Sequence, residues 1–172
     1  YILLCVESLT RWPEIHPVKT QTAEEIADVL YNQVFTRFGP PKSLLSDRGS
    51  GFVSKIVSCL CKAFGVKRLK TSSYHPQSNS ACENFNRQIL KNLRAYTENQ
   101  EDWPQYLSSI AMAHRSTVAT SSTKFSPYFL MFGRQMTLAV DLELKDVEKT
   151  TTVDEYIKKL LPKLEMTREI AR

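Results

Sequence analysis

Apolar and polar positions along the chain follow two different periods, and the places where the period changes mark the elements. Tyr1-Ile2-Leu3-Leu4-Cys5-Val6 is a branched apolar run, and Ile15 to Val18 follows Trp12-Pro13 as a second, so two adjacent strands forming a hairpin are expected. Thr22 with Glu25 three residues on makes a capping-box pattern. Ile26, Val29, Leu30, Val34 and Phe38 then recur at helical spacing up to Gly39-Pro40-Pro41. Ser43-Leu44-Leu45 reads as a short buried strand before the turn Ser46-Asp47-Arg48-Gly49, Phe52 to Phe64 as a helix closed by Gly65, and Val66 to Leu69 as another strand. Beyond a polar loop, Thr71 to Ser78, the positions Cys82, Phe85, Ile89, Leu93 and Tyr96 trace one apolar face of a helix ending near Thr97. Trp103 to about Arg115 is a further helix, 116–126 a Ser/Thr-rich loop, and Pro127 to Phe132 a short helix or turn ended by Gly133. Thr152 to Arg172 is a last amphipathic helix.

Strands joined through helices indicate a mixed α/β sheet flanked by helices. A chain of 172 residues suffices for one such domain. We place the core at residues 1–145, with 146–172 a terminal helix or linker. The opening apolar run is too short for a membrane span and has no basic leader. Because that run begins at residue 1 without Met, earlier structural elements are expected upstream of Tyr1.

Charge changes the picture through its distribution. The formal net charge is only +5, but from Val29 to Thr97 eleven Lys or Arg residues face two acids, Asp47 and Glu83, a local net charge of 11 − 2 = +9. Such a span attracts polyanions, and isolated carboxylates inside it oppose the field unless a cation needs them. From Glu101 onward ten acids balance ten bases. Cys5, Cys59, Cys61 and Cys82 contain no CxxC pair, so no zinc site follows, and a reducing intracellular compartment is expected. His16, His75 and His114 have no ligand-like partners in sequence.

Asp47 falls just past the end of its expected strand, where open α/β sheets gather their chemistry. Glu83 opens a helix on which Arg87, Lys91 and Arg94 follow at i+4, i+8 and i+11, a basic stripe suited to a phosphate backbone. Each acid also has a structural role open to it. Asp47 suits a turn. Glu83 can close a capping box with Ser80 and pair with Arg87. Lys67, Arg68 and Lys70 can guard a sheet edge or hold DNA.

These motifs resemble the integrase catalytic core of retroviruses and, more closely, of gypsy-type retrotransposons. Ser46-Asp47-Arg48-Gly49-Ser50-Gly51-Phe52 is similar to the family's segment around its second catalytic Asp. Tyr74-His75-Pro76-Gln77-Ser78-Asn79 followed by Glu83-Asn84-Phe85-Asn86-Arg87 resembles its catalytic Glu segment. Thirty-five residues separate the two acids, the family's interval. Phe125-Ser126-Pro127-Tyr128-Phe129-Leu130-Met131-Phe132-Gly133-Arg134 resembles the retrotransposon segment that closes the domain.

The resemblance implies an RNase H-like fold and metal-dependent DNA 3′-end processing and strand transfer. Asp47 and Glu83 would be catalytic ligands of Mg²⁺ or Mn²⁺. Arg48, Tyr74, Gln77, Asn79, Asn86, Arg87, Lys91 and Arg94 would contact DNA. The partners implied are element ends, target DNA and further copies of the protein in a dimer or larger assembly, and the location is the nucleus, with a cytoplasmic stage before integration.

The family's first catalytic Asp has no counterpart here. Glu7 lies on what resembles the second strand and its exit, so the first strand and its Asp are expected upstream of Tyr1, and the 172 residues alone are expected to be inactive. Ser80 and Lys124 stand where the family usually has Gly, and Asn84 where it usually has Arg. These departures keep a second reading open: an inactive, domesticated or truncated derivative that binds DNA or protein.

Overall fold

Tyr1 and Val18 exchange two backbone hydrogen bonds, 2.7 Å from the Tyr1 nitrogen to the Val18 carbonyl and 2.9 Å in return. Between them β1 (Ile2–Val6) and β2 (Pro13–Pro17) form a two-stranded sheet, the expected hairpin. The computed structural model of the chain describes residues 1–47, 49–70, 80–97, 99, 101–119, 123–139, 141 and 152–171. They fall into two compact units, Tyr1–Cys5 with Glu14–Ser108 and Val6–Pro13 with Ser109–Arg172.

In the first unit, the Thr22 side chain accepts the Glu25 N–H at the start of α1 (Ala23–Val29). The Glu25 carboxylate reaches back to the N–H groups of Lys19 and Thr20, both at 2.7 Å, so the loop before the helix is tied down as well. The helix continues as a π-helical stretch, Leu30–Phe35, and closes in α2 (Thr36–Phe38). That stretch alters which residues face inward. A wider turn advances the chain by one residue, so Phe35 enters the core while Phe38, expected there from strict helical spacing, is 40% exposed.

β3 (Ser43–Ser46) and β4 (Lys67–Lys70) pair in parallel, with Leu44 opposite Arg68 and Ser46 opposite Lys70. The single helix expected over 52–64 is instead two: α3 (Ser50–Val53) and α4 (Lys55–Ala63). Ser54 divides them by turning extended (φ −60°, ψ 160°) and capping Val57 N–H with its hydroxyl at 3.3 Å. Serine at this position competes for backbone bonds and restarts the helix. Leu3, Val18, Ile26, Leu30, Phe35, Val57, Cys61 and Val66 form the core, with Leu44 of β3 packed against it. A single continuous mixed sheet was expected. The described residues are mixed α/β but hold two separate two-stranded sheets.

α5 (Ser80–Tyr96) buries Phe85, Ile89 and Leu93 of the face its periodicity indicates, while Tyr96, expected on that face, lies in the last turn and is 64% exposed. α6 (Trp103–Ser116) matches the expected helix. In the second unit, Ser126 caps α7 (Pro127–Phe132) by accepting the Phe129 N–H, with Pro127 at the first helical position. Gly133 ends α7 at φ 71°, and a Cβ there would lie 2.3 Å from Leu160 of α8 (Val153–Ile170). α8 begins with a complete capping box between Thr152 and Glu155. Among the described residues no helix is long and apolar enough to cross a membrane.

Candidate functional site

Asp47 stands immediately after β3, at the C-terminal end of a parallel strand, and is exposed. Its Oδ1 accepts the Gly49 N–H at 3.0 Å, which fixes the carboxylate over its own turn. Gly49 permits this by leaving room: a Cβ there would sit 3.0 Å from the same Oδ1. Gly51 is the tighter position, since a Cβ would meet the Gln21 carbonyl oxygen at 2.6 Å and Ile26 Cδ1 at 2.5 Å. α3 is therefore pressed against the start of α1, and the Asp47 turn is attached to the core of the unit.

Glu83 lies in the first turn of α5 and is exposed. The positive end of the helix dipole favours its charge. The ion pair that helical spacing allows with Arg87 is not formed, whereas Glu14 is paired with Arg37 at 3.1 Å and with His16 at 3.4 Å. Glu83 is thus not neutralised by a neighbour on its helix.

Arg87, Lys91 and Arg94 are exposed on the same side of α5 as Glu83, opposite Phe85, Ile89 and Leu93, so the basic stripe exists as read. Asn86 and Arg94 also line an apolar groove of about 690 Å³ along α5, with Leu90, Leu93 and Thr97 facing Tyr1, Ile2 and Trp103. Arg48, Tyr74, Gln77 and Asn79 lie outside the described residues, as does His75.

The two acids supply hard carboxylate oxygens, the right donor chemistry for Mg²⁺ or Mn²⁺. Among the described residues no three His, Cys, Asp or Glu side chains come together as a metal site. The donor type fits, and Asp47 and Glu83 would hold the ion only with further oxygen ligands.

Glu7 is engaged in its own turn. Its Oε2 accepts the N–H of Leu9 at 3.0 Å, the N–H of Thr10 at 2.6 Å and the Thr10 hydroxyl at 2.7 Å. Although partial burial opposes ionisation, these donors hold its carboxyl below the usual carboxylate range. The carboxylate serves the turn that follows β1.

Three features escaped the sequence reading. Arg68 is half-buried and donates through Nη2 to the Phe52 carbonyl, so it does not merely line an edge. Glu14 is 4% exposed on β2 and paired with Arg37, 23 residues away. The Arg115 guanidinium stacks 4.4 Å from the Trp12 ring and donates to the Pro13 carbonyl at 2.7 Å. An acid inside a short strand between Trp12-Pro13 and Val18 was the available sign for Glu14. No local pattern announces the other two, whose partners are distant in sequence.

Comparison with known proteins adds what the geometry leaves open. Residues 1–76 match the family model described as Integrase core domain, a stretch that includes Asp47 and stops short of Glu83. The chain is 31% identical over 135 residues, 77% of its length, to the Pol polyprotein of feline endogenous virus ECE1, covering 13% of that protein. It is 27% identical over 173 residues to the Gag-Pol polyprotein of avian reticuloendotheliosis virus, all of this chain and 15% of that one. The retrovirus-related Pol polyprotein from transposon 412 of Drosophila melanogaster is 24% identical over 174 residues, again across the whole chain and 14% of the relative. The chain thus spans about one seventh of the length of each of these three relatives. Matched by the core-domain model at its start and by Pol polyproteins along its length, the chain belongs to the integrase core family of retroviruses and gypsy-type retrotransposons.

Proposed function

We propose that this chain carries the strand-joining chemistry of a retroelement integrase, with Asp47 and Glu83 as ligands of Mg²⁺ or Mn²⁺. The observation that carries the reading is the pair itself: the only acids in a span of net charge +9, both exposed, at a strand end and a helix start. The reaction is an in-line displacement, in which a DNA 3′ hydroxyl oxygen forms a new P–O bond with a target phosphodiester while the target's own 3′-bridging P–O bond breaks. The bound ions would supply activation of the attacking oxygen and charge stabilisation on the leaving one. Asp47, oriented by Gly49 N–H, and Glu83, at a helix N-terminus, would hold them. Arg87, Lys91 and Arg94 would position the DNA backbone without reading its sequence.

The same reading gives a fuller fold. Among the described residues β1 is paired with β2 alone and β3 with β4 alone, while Leu3 and Leu44 pack on one core. A further strand joining β1 to β3 would unite them into one RNase H-like sheet and bring a third acid. Joining two DNA ends calls for at least a dimer, and the chromosomal target for nuclear residence.

A second reading, an inactive derivative kept for binding, draws support from Lys124, which occupies a left-handed conformation (φ 62°) that the family's glycine would adopt without strain. Mn²⁺ titration followed by NMR separates the two. Selective broadening of the Asp47 and Glu83 resonances, lost in Asp47→Asn, supports the catalytic reading, and uniform weak broadening favours the binding module.

A further inference from the structure

Three bonds connect β4 to the Asp47 turn. Arg68, centred in β4 opposite Leu44, donates through Nη2 to the Phe52 carbonyl in α3. α3 is a single turn that stops at the extended Ser54, so its C-terminal carbonyls have no helical donors, and a cationic side chain is a suitable partner for them. Within α3 the Val53 N–H donates to the Gly49 carbonyl at 3.1 Å, and the Gly49 N–H donates to Asp47 Oδ1 at 3.0 Å. On its other side α3 rests on Gln21 and Ile26 through Gly51. The turn that carries Asp47 is therefore held from two directions, by packing on one side and by a guanidinium on the other.

We propose that Arg68 is a positioning residue for Asp47: it fixes α3, and through α3 the orientation of the carboxylate, and it is not one of the cations available to DNA. The inference rests on the reading of Asp47 as a metal ligand. It assigns separate work to a basic cluster that charge alone treats as uniform, leaving Lys67 exposed at the strand start and turning Arg68 inward.

The test compares the 172-residue chain with its Arg68→Met and Arg68→Lys forms by three readouts. Amide hydrogen exchange at Gly49 and Val53 is expected to rise about tenfold in Arg68→Met, the loss of one charge-assisted bond, while α4 amides keep their rates. Broadening of Asp47 by Mn²⁺ should require about tenfold more ion in that variant and recover partly in Arg68→Lys. The slope of log affinity against log salt for duplex DNA should not change, whereas a lost phosphate contact would reduce it by about 0.9.

Unchanged exchange at Gly49 and Val53 overturns the proposal, as does a salt slope reduced by about 0.9. So does a lower melting temperature with Gly49 exchange and Mn²⁺ response unaltered, which marks Arg68 as merely structural. If Arg68→Met does not fold, Arg68→Gln, which also removes the guanidinium charge, decides by the same criteria. If Asp47 shows no Mn²⁺ response in the unmodified chain, the metal-ligand reading fails while exchange at Gly49 still reports on Arg68.

Discussion

Glu7 and Thr10 are joined twice, the carboxylate Oε2 taking the Thr10 backbone N–H at 2.6 Å and its hydroxyl at 2.7 Å. Leu9 N–H adds a third bond at 3.0 Å. These bonds engage the acid that a search for a third catalytic carboxylate would choose first. Replacing Glu7 with Gln removes the charge from this cage, and because Glu7 is exposed and screened by solvent a stability loss of about 0.5 kcal/mol is expected. Because the folded carboxyl titrates below its unfolded value, near 4.3, its contribution is complete above that pH and is lost as pH falls through the folded value. Melting temperatures of the two forms should therefore differ at pH 7 and converge in acid. A constant gap down to pH 2 would contradict the assignment.

Lys124 has φ 62° in the loop leading to Ser126-Pro127. A side chain in this region is strained by about 1–2 kcal/mol, partly offset by the unfolded-state entropy that glycine introduces. Lys124→Gly should stabilise the chain by roughly 0.5–1 kcal/mol in chemical denaturation. A destabilised variant would show that the lysine side chain makes up for its backbone.

The thiols should differ in reactivity. Burial, with Cys82 and Glu14 close by, pushes the Cys5 thiol up to about 12, so it stays protonated at neutral pH. Cys61 is buried, while Cys59 is exposed on the same helix. A thiol reagent at pH 8 should modify exposed Cys59 first, the half-buried and protonated Cys5 much more slowly, and buried Cys61 only on unfolding. Early labelling of Cys5 would contradict its placement.

The basic stripe on α5 makes a quantitative demand. Changing Arg87, Lys91 and Arg94 together to Gln should weaken duplex DNA binding and lower the salt slope by about 2.7, three contacts at 0.9 each. The change should be independent of DNA sequence. A slope unaffected by the triple substitution would remove α5 from the DNA surface.

Much of this was legible because it is local. Period placed α5, the apolar runs placed the hairpin, the capping box placed α1, and turn chemistry placed Asp47 at a strand end. The π-helical stretch was not legible, since Phe35 and Phe38 are equally apolar and only the packed core selects Phe35. The break at Ser54 was missed for a related reason: one serine in an apolar-periodic run can cap a new helix or sit on an exposed face. The helix from Thr152 was legible from its amphipathic period, while its capping box with Glu155, a T-x-x-E pattern, was passed over. Arg68 illustrates the opposite case, a basic residue whose burial depends on a partner 16 positions away.

Single-turnover strand transfer by the full-length protein decides whether Asp47 and Glu83 are metal ligands in a DNA strand-joining reaction. With preprocessed DNA ends and Mg²⁺, Asp47→Asn and Glu83→Gln should each reduce the rate by a factor of about 10²–10³ or more, the scale of losing one charge-stabilising group, while DNA affinity is retained. Strand transfer at the unmodified rate in either variant, or none in the native protein under conditions where it binds DNA and Mn²⁺, would contradict the account.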